Sequence, residues 1–490
     1  MLTRPNILLI LADQLPAAAL RAYGHPVVRS PRLDALAAAG VRFDQAYTNC
    51  PLSAPARATL CTGRLSGKLG VYDNAVEFGA SVPTFAHHLR GAGYATLAAG
   101  KMHFVGPDQL HGFERRLTTD IFPSSFAWTP DWRGGACPNP GSSAAQLRQS
   151  GPCTWSDALR YDEEVQFRTL EALRELAGRR GRRQPFLLCA SFTHPHQPLT
   201  ITRRWWDLYE DAAIDAPAAP AVPLEQMHPF DRWIQIHHQV DRYPPSDDDV
   251  ARSRRAYYGM VSCVDDKVGA LRDELARLGL ANNTVVIFSA GHGEMLGEHG
   301  MWFERTCFDR AVRVPLLAAG PGLPAGRVVD ATVSLADLFP SILELAGMPK
   351  EMWNSEELDG RSIAPLMRGS DAETDRPAVI DYLGEGTCQP VRAVVRERLK
   401  YIHVHGEAPR LFDLASDPLE RADRSRDPAY AARRDALARL ALVGWDGEAV
   451  CRRVLRSQQD RLRIHPALQR GRVESWDAAP HFDPAQQYCR

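Results

Sequence analysis

The chain has 490 residues, ten of them cysteine, and a formal net charge of -1. So even a balance gives no basic field for nucleic acid or an anionic membrane, which leaves a small molecule or a second copy of the chain as the expected partner. The cysteines show no CxxC or Cys/His spacing and read as reduced thiols, and no apolar run has spanning length or the flanks of a signal peptide, so a soluble, cytoplasmic protein is expected.

Residues 6–12 (NILLILA) form a continuous apolar run that ends in Asp13. This pattern predicts a buried parallel strand delivering a carboxylate at its C-terminal edge, where open α/β sheets place their ligand sites. A helix is expected over 30–40, with Leu33, Ala37 and Ala38 on one face, then a short strand over 41–47 and helices around 57–62 and 84–93. Buried strands follow at 96–99, 186–192, 284–289 and 314–319, separated by helices over 162–176 and 247–278. The alternation predicts a largely parallel sheet covered on both faces. Residues 136–153 and 213–223, rich in Pro, Gly, Ser and Ala, read as loops or lid elements. From about residue 375 the texture changes to short strands at 378–382, 391–395 and 401–404 and a helix near 430–443. The expected organisation is a main domain over 1–375, a small C-terminal α+β subdomain over 376–450, and an Arg- and Gln-rich arm over 451–490 suited to oligomer contacts.

Four short segments carry chemistry. Ser53-Ala54-Pro55-Ala56-Arg57 places a hydroxyl at a helix N-terminus, where backbone N–H groups favour an anionic oxygen, with an arginine one turn on to steady a sulfate or phosphate. Taken alone it could equally be a helix start capped by serine. Gly100-Lys101-Met102-His103 sets a cation and an imidazole two residues apart just after a strand. Thr193-His194-Pro195-His196 and Gly291-His292-Gly293-Glu294 add histidines at two more strand ends.

In this order the segments resemble the sulfatase family of the alkaline phosphatase superfamily, whose signature is (C/S)-x-P-x-R followed by T-G-R, here Thr62-Gly63-Arg64. The likeness is greatest to its choline-sulfatase branch, through Ala12-Asp13-Gln14, Val71 to Ala75, Gly100 to Gly112, Leu117 to Trp132, Ser191 to His196 and Met295 to Glu298. It implies an alkaline phosphatase-like α/β/α sandwich, commonly oligomeric, that hydrolyses a small sulfate ester. By the same resemblance Ser53 is the nucleophile, after conversion to formylglycine. Arg57, Lys101 and His103 stabilise charge, and His194 assists the leaving oxygen. Asp13, Gln14 and His292 hold a divalent metal, Ca²⁺ or Mn²⁺. Trp128, whose ring suits a quaternary ammonium group but equally suits core packing, would bind substrate with Asn74 and Glu385.

The sequence also departs from the family pattern. The nucleophile position is Ser rather than Cys, and an unconverted serine has one hydroxyl where the formylglycine hydrate has two. Gly291 stands where the family has a metal-binding Asp, and Glu304 where it has Lys. These two changes leave the site one unit more negative, which disfavours an anion unless Glu304 reaches the metal in place of the missing Asp. No His-Asn pair follows Trp132, and the chain reads as ending before the tail with which family members reach a neighbouring subunit. Three readings stand: a sulfate ester hydrolase converting choline sulfate to choline and sulfate, an impaired homologue with a binding role, and a phosphoester or phosphonate hydrolase using plain Ser53.

Overall fold

The structure, a computed structural model, describes residues 4–136, 141–178, 184–353, 357–370, 376–472 and 476. Residues 137–140 of the first expected loop and most of the end of the expected arm therefore lie outside the described residues. In chain order the strands are β1 (Asn6–Ala12), β2 (Val41–Tyr47), β3 (Ala95–Gly100), β4 (Arg115–Arg116), β5 (Gly151–Cys153), β6 (Phe186–Ser191), β7 (Thr200–Thr202), β8 (Thr284–Ala290), β9 (Leu316–Ala319), β10 (Arg327–Ser334), β11 (Ala378–Tyr382), β12 (Val391–Arg396), β13 (Leu399–Val404) and β14 (Arg410–Asp413).

Eight strands build one sheet in the order β10-β2-β9-β8-β1-β6-β3-β4. Its pairings are parallel except for those of β9 with β2 and β8, so the strand expected over 314–319 is the one that runs backwards. The run Asn6–Ala12 is apolar almost throughout because β1 lies between β6 and β8 and is buried on both faces. Each fully buried Ile or Leu there contributes about 1.5–3 kcal/mol. The helix Asp157–Gly178 packs on β3 and β6, and Asp247–Arg277 packs against Asp157–Gly178 and Pro31–Ala38. Residues 213–223 carry neither helix nor strand, as their composition suggests, whereas the first expected loop contains the 3-10 segment Ala144–Gln149 and β5.

The strands β11 to β14 form a separate antiparallel sheet, with the helix Ala431–Leu442 against β12 and β13. It is tied to the main sheet just before residue 53. Asn49 Nδ2 donates to the Val379 carbonyl at 2.8 Å, and Tyr47, Cys50 and Leu52 share an apolar cluster with Ile380, Tyr382 and Val391.

Much of the expected arm is a helix, Gly447–Leu468. Val450, Val454, Gln458 and Arg461 recur at helical spacing and are buried, the valines against Tyr72, Trp132 and Leu383. A polar composition conceals this narrow face. Eight cysteines among the described residues are free, and among those residues no helix is long and apolar enough to cross a membrane.

Candidate active site

Four neighbouring parallel strands end on one edge of the sheet, and each hands a polar side chain to the same place. β1 leads to Asp13 and Gln14, β3 to Lys101 and His103, β6 to His194 and His196, and β8 to His292. The turn after β3 needs glycine, because Gly100 has φ +96° and a Cβ there would lie 1.9 Å from the Ser191 carbonyl oxygen. Gln14 and His103 also take left-handed backbone, φ 60° and 52°, a conformation that costs side-chain-bearing residues energy and clusters at functional sites.

Ser53 begins the helix Ser53–Thr62, which carries Pro in its first turn and ends at Gly63 in the left-handed conformation. Its Oγ lies 2.9 Å from Lys101 Nζ and 3.1 Å from His292 Nε2. Because the hydroxyl accepts from the ammonium, its own proton is left to point at the imidazole. The His292 Nδ1 atom lies 3.2 Å from the Gly293 carbonyl, an arrangement that assigns the ring proton to Nδ1 and leaves Nε2 as the acceptor. Asp13 sits behind this trio. Both guanidinium NH groups of Arg57 reach its Oδ1 at 3.3 Å, and Lys101 donates to its Oδ2. Burial pushes the Asp13 carboxyl up, but Lys101 and Arg57 outweigh it and hold the group far below the usual range. Burial likewise lowers Lys101 to about 8, against the pull of Asp13, and depresses His292.

Ser53 opens into a cavity of about 480 Å³. Its wall includes the aromatic His103, Phe122, Trp128 and Trp132 together with Asn74, His196, Glu304, Arg305 and Glu385. His103 stacks on Phe122 with centroids 5.1 Å apart, and Trp128 meets both rings edge-on. Burial, then Lys101 and Arg57, holds the His103 imidazole well below its ordinary value. Asn74 has a structural role as well, since its Oδ1 accepts from the Ala54 N–H at 3.0 Å and its Nδ2 donates to Glu385 at 3.2 Å.

Several expectations need redistribution. His194 does not line the cavity: its Nδ1 lies 2.5 Å from Asp162 Oδ2, and both groups are fully buried. His196, two residues on, lines it instead, with Nδ1 2.7 Å from the Gln197 carbonyl and its ring edge-on to Phe122. Burial, then Lys101, lowers its imidazole to about 4. Glu304 is paired with the neighbouring Arg305, which also donates to Glu385 at 3.2 Å. The Arg305 guanidinium therefore offsets the added negative charge at Glu304 Oε1. The sequence reading passed over His196 and Arg305; an adjacent Glu-Arg pair was the one available signal for the latter.

The donors expected to hold a divalent ion do not fit one. Ca²⁺ takes six to eight oxygens, several from carboxylates. Here both Asp13 oxygens accept from cations, His292 Nε2 faces Ser53, Gly291 has no side chain, and Gln14 turns its amide nitrogen to Glu294 and Gln197. Of these donors and the substitute Glu304, Gln14 Oε1 and Glu304 Oε2 are buried without a hydrogen-bond partner, and among the described residues no three His, Cys, Asp or Glu side chains converge as a metal-binding group.

A serine at a helix N-terminus, placed with lysine, arginine and histidines at the C-terminal edge of a mainly parallel sheet, defines an α/β hydrolase of alkaline phosphatase-like fold. The sulfatase family model matches residues 5–348, the model of the N-sulphoglucosamine sulphohydrolase C-terminal region matches 297–441, and that of the choline sulfatase enzyme C terminus matches 452–490. A choline-sulfatase of Rhizobium meliloti is 38% identical, over 99% of this chain and 96% of its own. A sulfatase of Formosa agariphila is 27% identical over 91% and 88%. The crystal structure of a phosphonate monoester hydrolase of Agrobacterium radiobacter superposes with a TM-score of 0.70 at 27% identity, covering 90% of this chain and 95% of that one. The chain belongs to the sulfatase family, and its reaction class is sulfuric ester hydrolysis. The match over 452–490 corrects the expectation that the family's C-terminal tail lies beyond this chain.

Proposed function

We propose that the protein hydrolyses a small sulfate ester bearing a quaternary ammonium group, choline sulfate being the type. The observation that carries this reading is the position of Ser53 Oγ, between Lys101 and His292 on the floor of a cavity whose wall combines the Trp128 ring with Glu385. A cation can lie over the indole near a carboxylate while its sulfate reaches the serine. The 38% identity to the Rhizobium choline-sulfatase across nearly the whole chain supports the same substrate. The solvent-borne, cytoplasmic, self-associating form expected from the sequence belongs to the proposal too.

The chemistry follows from the residues. Ser53 supplies the oxygen that attacks sulfur; as formylglycine its hydrate would provide a second hydroxyl whose loss of a proton re-forms the aldehyde and expels sulfate. The paired surroundings of Ser53 Oγ, one donor and one acceptor, suit such a hydrate. Lys101 and the helix N-terminus stabilise the charge gathering on the sulfuryl oxygens. The bond to the ester oxygen breaks with its electron pair going to the alcohol, which takes its proton from solvent in the cavity, while His292 Nε2 receives the proton that the nucleophile gives up.

The test uses protein purified from its native host. Sulfate release from choline sulfate should exceed turnover of an aryl sulfate and of a phosphonate monoester, and the tryptic peptide of Ser53 should lack two hydrogens. Unmodified serine together with faster phosphonate hydrolysis would replace this reading by that of a plain-serine phosphonate hydrolase, the activity named for the Agrobacterium neighbour.

A further inference from the structure

We infer that in this chain Asp13 is not a metal ligand but the anchor of a cation clamp, Arg57 and Lys101, which supplies at Ser53 the positive charge that a divalent ion would otherwise bring. Three observations meet here. Both Asp13 oxygens are occupied, Oδ1 by two Arg57 NH groups at 3.3 Å and Oδ2 by Lys101, with all three side chains buried. The space beside residue 291 belongs to the same clamp, since a Cβ on Gly291 would lie 3.0 Å from Arg57 NH1 and 3.8 Å from Asp13 Oδ1. A carboxylate there would pull the guanidinium from Asp13 and free an oxygen; glycine lets the guanidinium stay. Glu304, the substitute ligand the sequence suggests, gives its Oε1 to Arg305 and keeps only Oε2 free, one oxygen where Ca²⁺ needs several.

Two cations against one carboxylate leave one positive charge next to the nucleophile, the sign an incoming sulfate requires. An ion entering this cavity would have to displace a buried ammonium or guanidinium and strand it without a partner, which is costly in a dry interior.

The inference rests on the sulfatase reading only for the role of that charge, and its test needs no substrate. Full-length protein is dialysed against EDTA, its metal content is measured by elemental mass spectrometry, and Ca²⁺ and Mn²⁺ are titrated calorimetrically. Expected are a substoichiometric metal content, no binding heat up to millimolar ion, and a melting temperature that neither EDTA nor added ion shifts. Gly291→Asp should bind Ca²⁺ and melt higher in its presence. One equivalent of metal retained through dialysis by the parent chain would overturn the inference, as would a folded Gly291→Asp variant that takes up no ion. Failure of the ester assay alone would overturn the substrate reading and leave the clamp standing.

Discussion

Replacing Arg461 by Met should open the cavity from behind without unfolding the enzyme. Arg461 stands on the helix Gly447–Leu468 and grips Asp73 through two bonds, NH1 to Oδ1 at 2.8 Å and NH2 to Oδ2 at 2.7 Å, with a third from NH1 to Thr129 Oγ1 at 3.1 Å. Asp73 is fully buried and precedes Asn74, the residue that caps the Ser53 helix. Removing one partner of a buried pair costs about 3–5 kcal/mol, mostly because the other charge is left in the dry interior. That penalty has a ceiling. Asp73 regains water once the helix lifts off, and the helix is held otherwise by few buried groups, Val450 and Val454 among them, at about 1.5–3 kcal/mol each. The Met variant should therefore release residues 447–468 while the main sheet stays folded. Hydrogen exchange should accelerate there by about two to three orders of magnitude, at about 1.4 kcal/mol per tenfold. KM for the ester should rise more than kcat falls, since Trp132 and Thr129 lose their backing. Adding Asp73→Asn should restore part of the protection, because a neutral amide is cheaper to leave unpaired. Unchanged exchange over 447–468 in the single variant would refute the reasoning.

Three further outcomes can be measured. His196→Ala should raise KM for the ester more than it lowers kcat, with little change in melting temperature, because its neutral ring lines the cavity with its proton turned to the Gln197 carbonyl, whereas His194→Ala should cost about 1–3 kcal/mol of stability by removing one buried donor to Asp162, which keeps the Thr193 and His194 N–H groups; a larger loss of kcat in His194→Ala than in His196→Ala would return the leaving-group role to His194. Trp128→Ala should raise KM for choline sulfate by about 2- to 30-fold and leave an aryl sulfate that carries no cationic group unaffected; equal losses on both would mark the ring as packing only. Burial raises the Asp265 carboxyl from 3.8 to about 6, against the Leu33 and Arg32 N–H groups that donate to it. A carboxyl raised on folding favours the folded state fully below pH 3.8, and that contribution, up to about 3 kcal/mol, is lost as pH rises through 6. Urea midpoints between pH 4 and 7 should show that slope in the parent and a flatter one in Asp265→Asn; parallel slopes would exclude Asp265 as its source.

The elements legible in the sequence were those whose signal is local. β1, β3, β6 and β8 show as apolar runs followed by a polar residue, and those ends mark the site because a parallel sheet gathers its C-terminal edges. What stayed hidden depends on long-range partners. The segment 193–196 offers two histidines, and their spacing does not say that Asp162 takes one and the cavity the other. Arg461 and Asp73 are 388 positions apart and pair across the fold, a relation no periodicity reports. Asp120 was likewise missed: its carboxylate accepts the Met102 and His103 N–H groups at 2.9 and 2.7 Å, holding the turn after β3. An acid that serves mainly backbone amides, with Arg116 beside it at 3.5 Å, resembles any surface aspartate in a sequence.

The helix Gly447–Leu468, which backs Trp132 in the cavity wall, would also set a timetable for the proposed conversion of Ser53. Ser53 is made early and ends 3% exposed, in a pocket whose Trp132 is backed by that helix. An enzyme that oxidised Ser53, as proposed above, would have to seat the serine in its own active site and so act before that helix docks. During synthesis residues 447–468 follow Ser53 by nearly four hundred positions, which would give such an enzyme an interval set by translation speed. The proportion of converted chains then becomes a contest of rates, oxidation against docking. Shortening the chain before residue 447 should raise that proportion while sacrificing the pocket it serves.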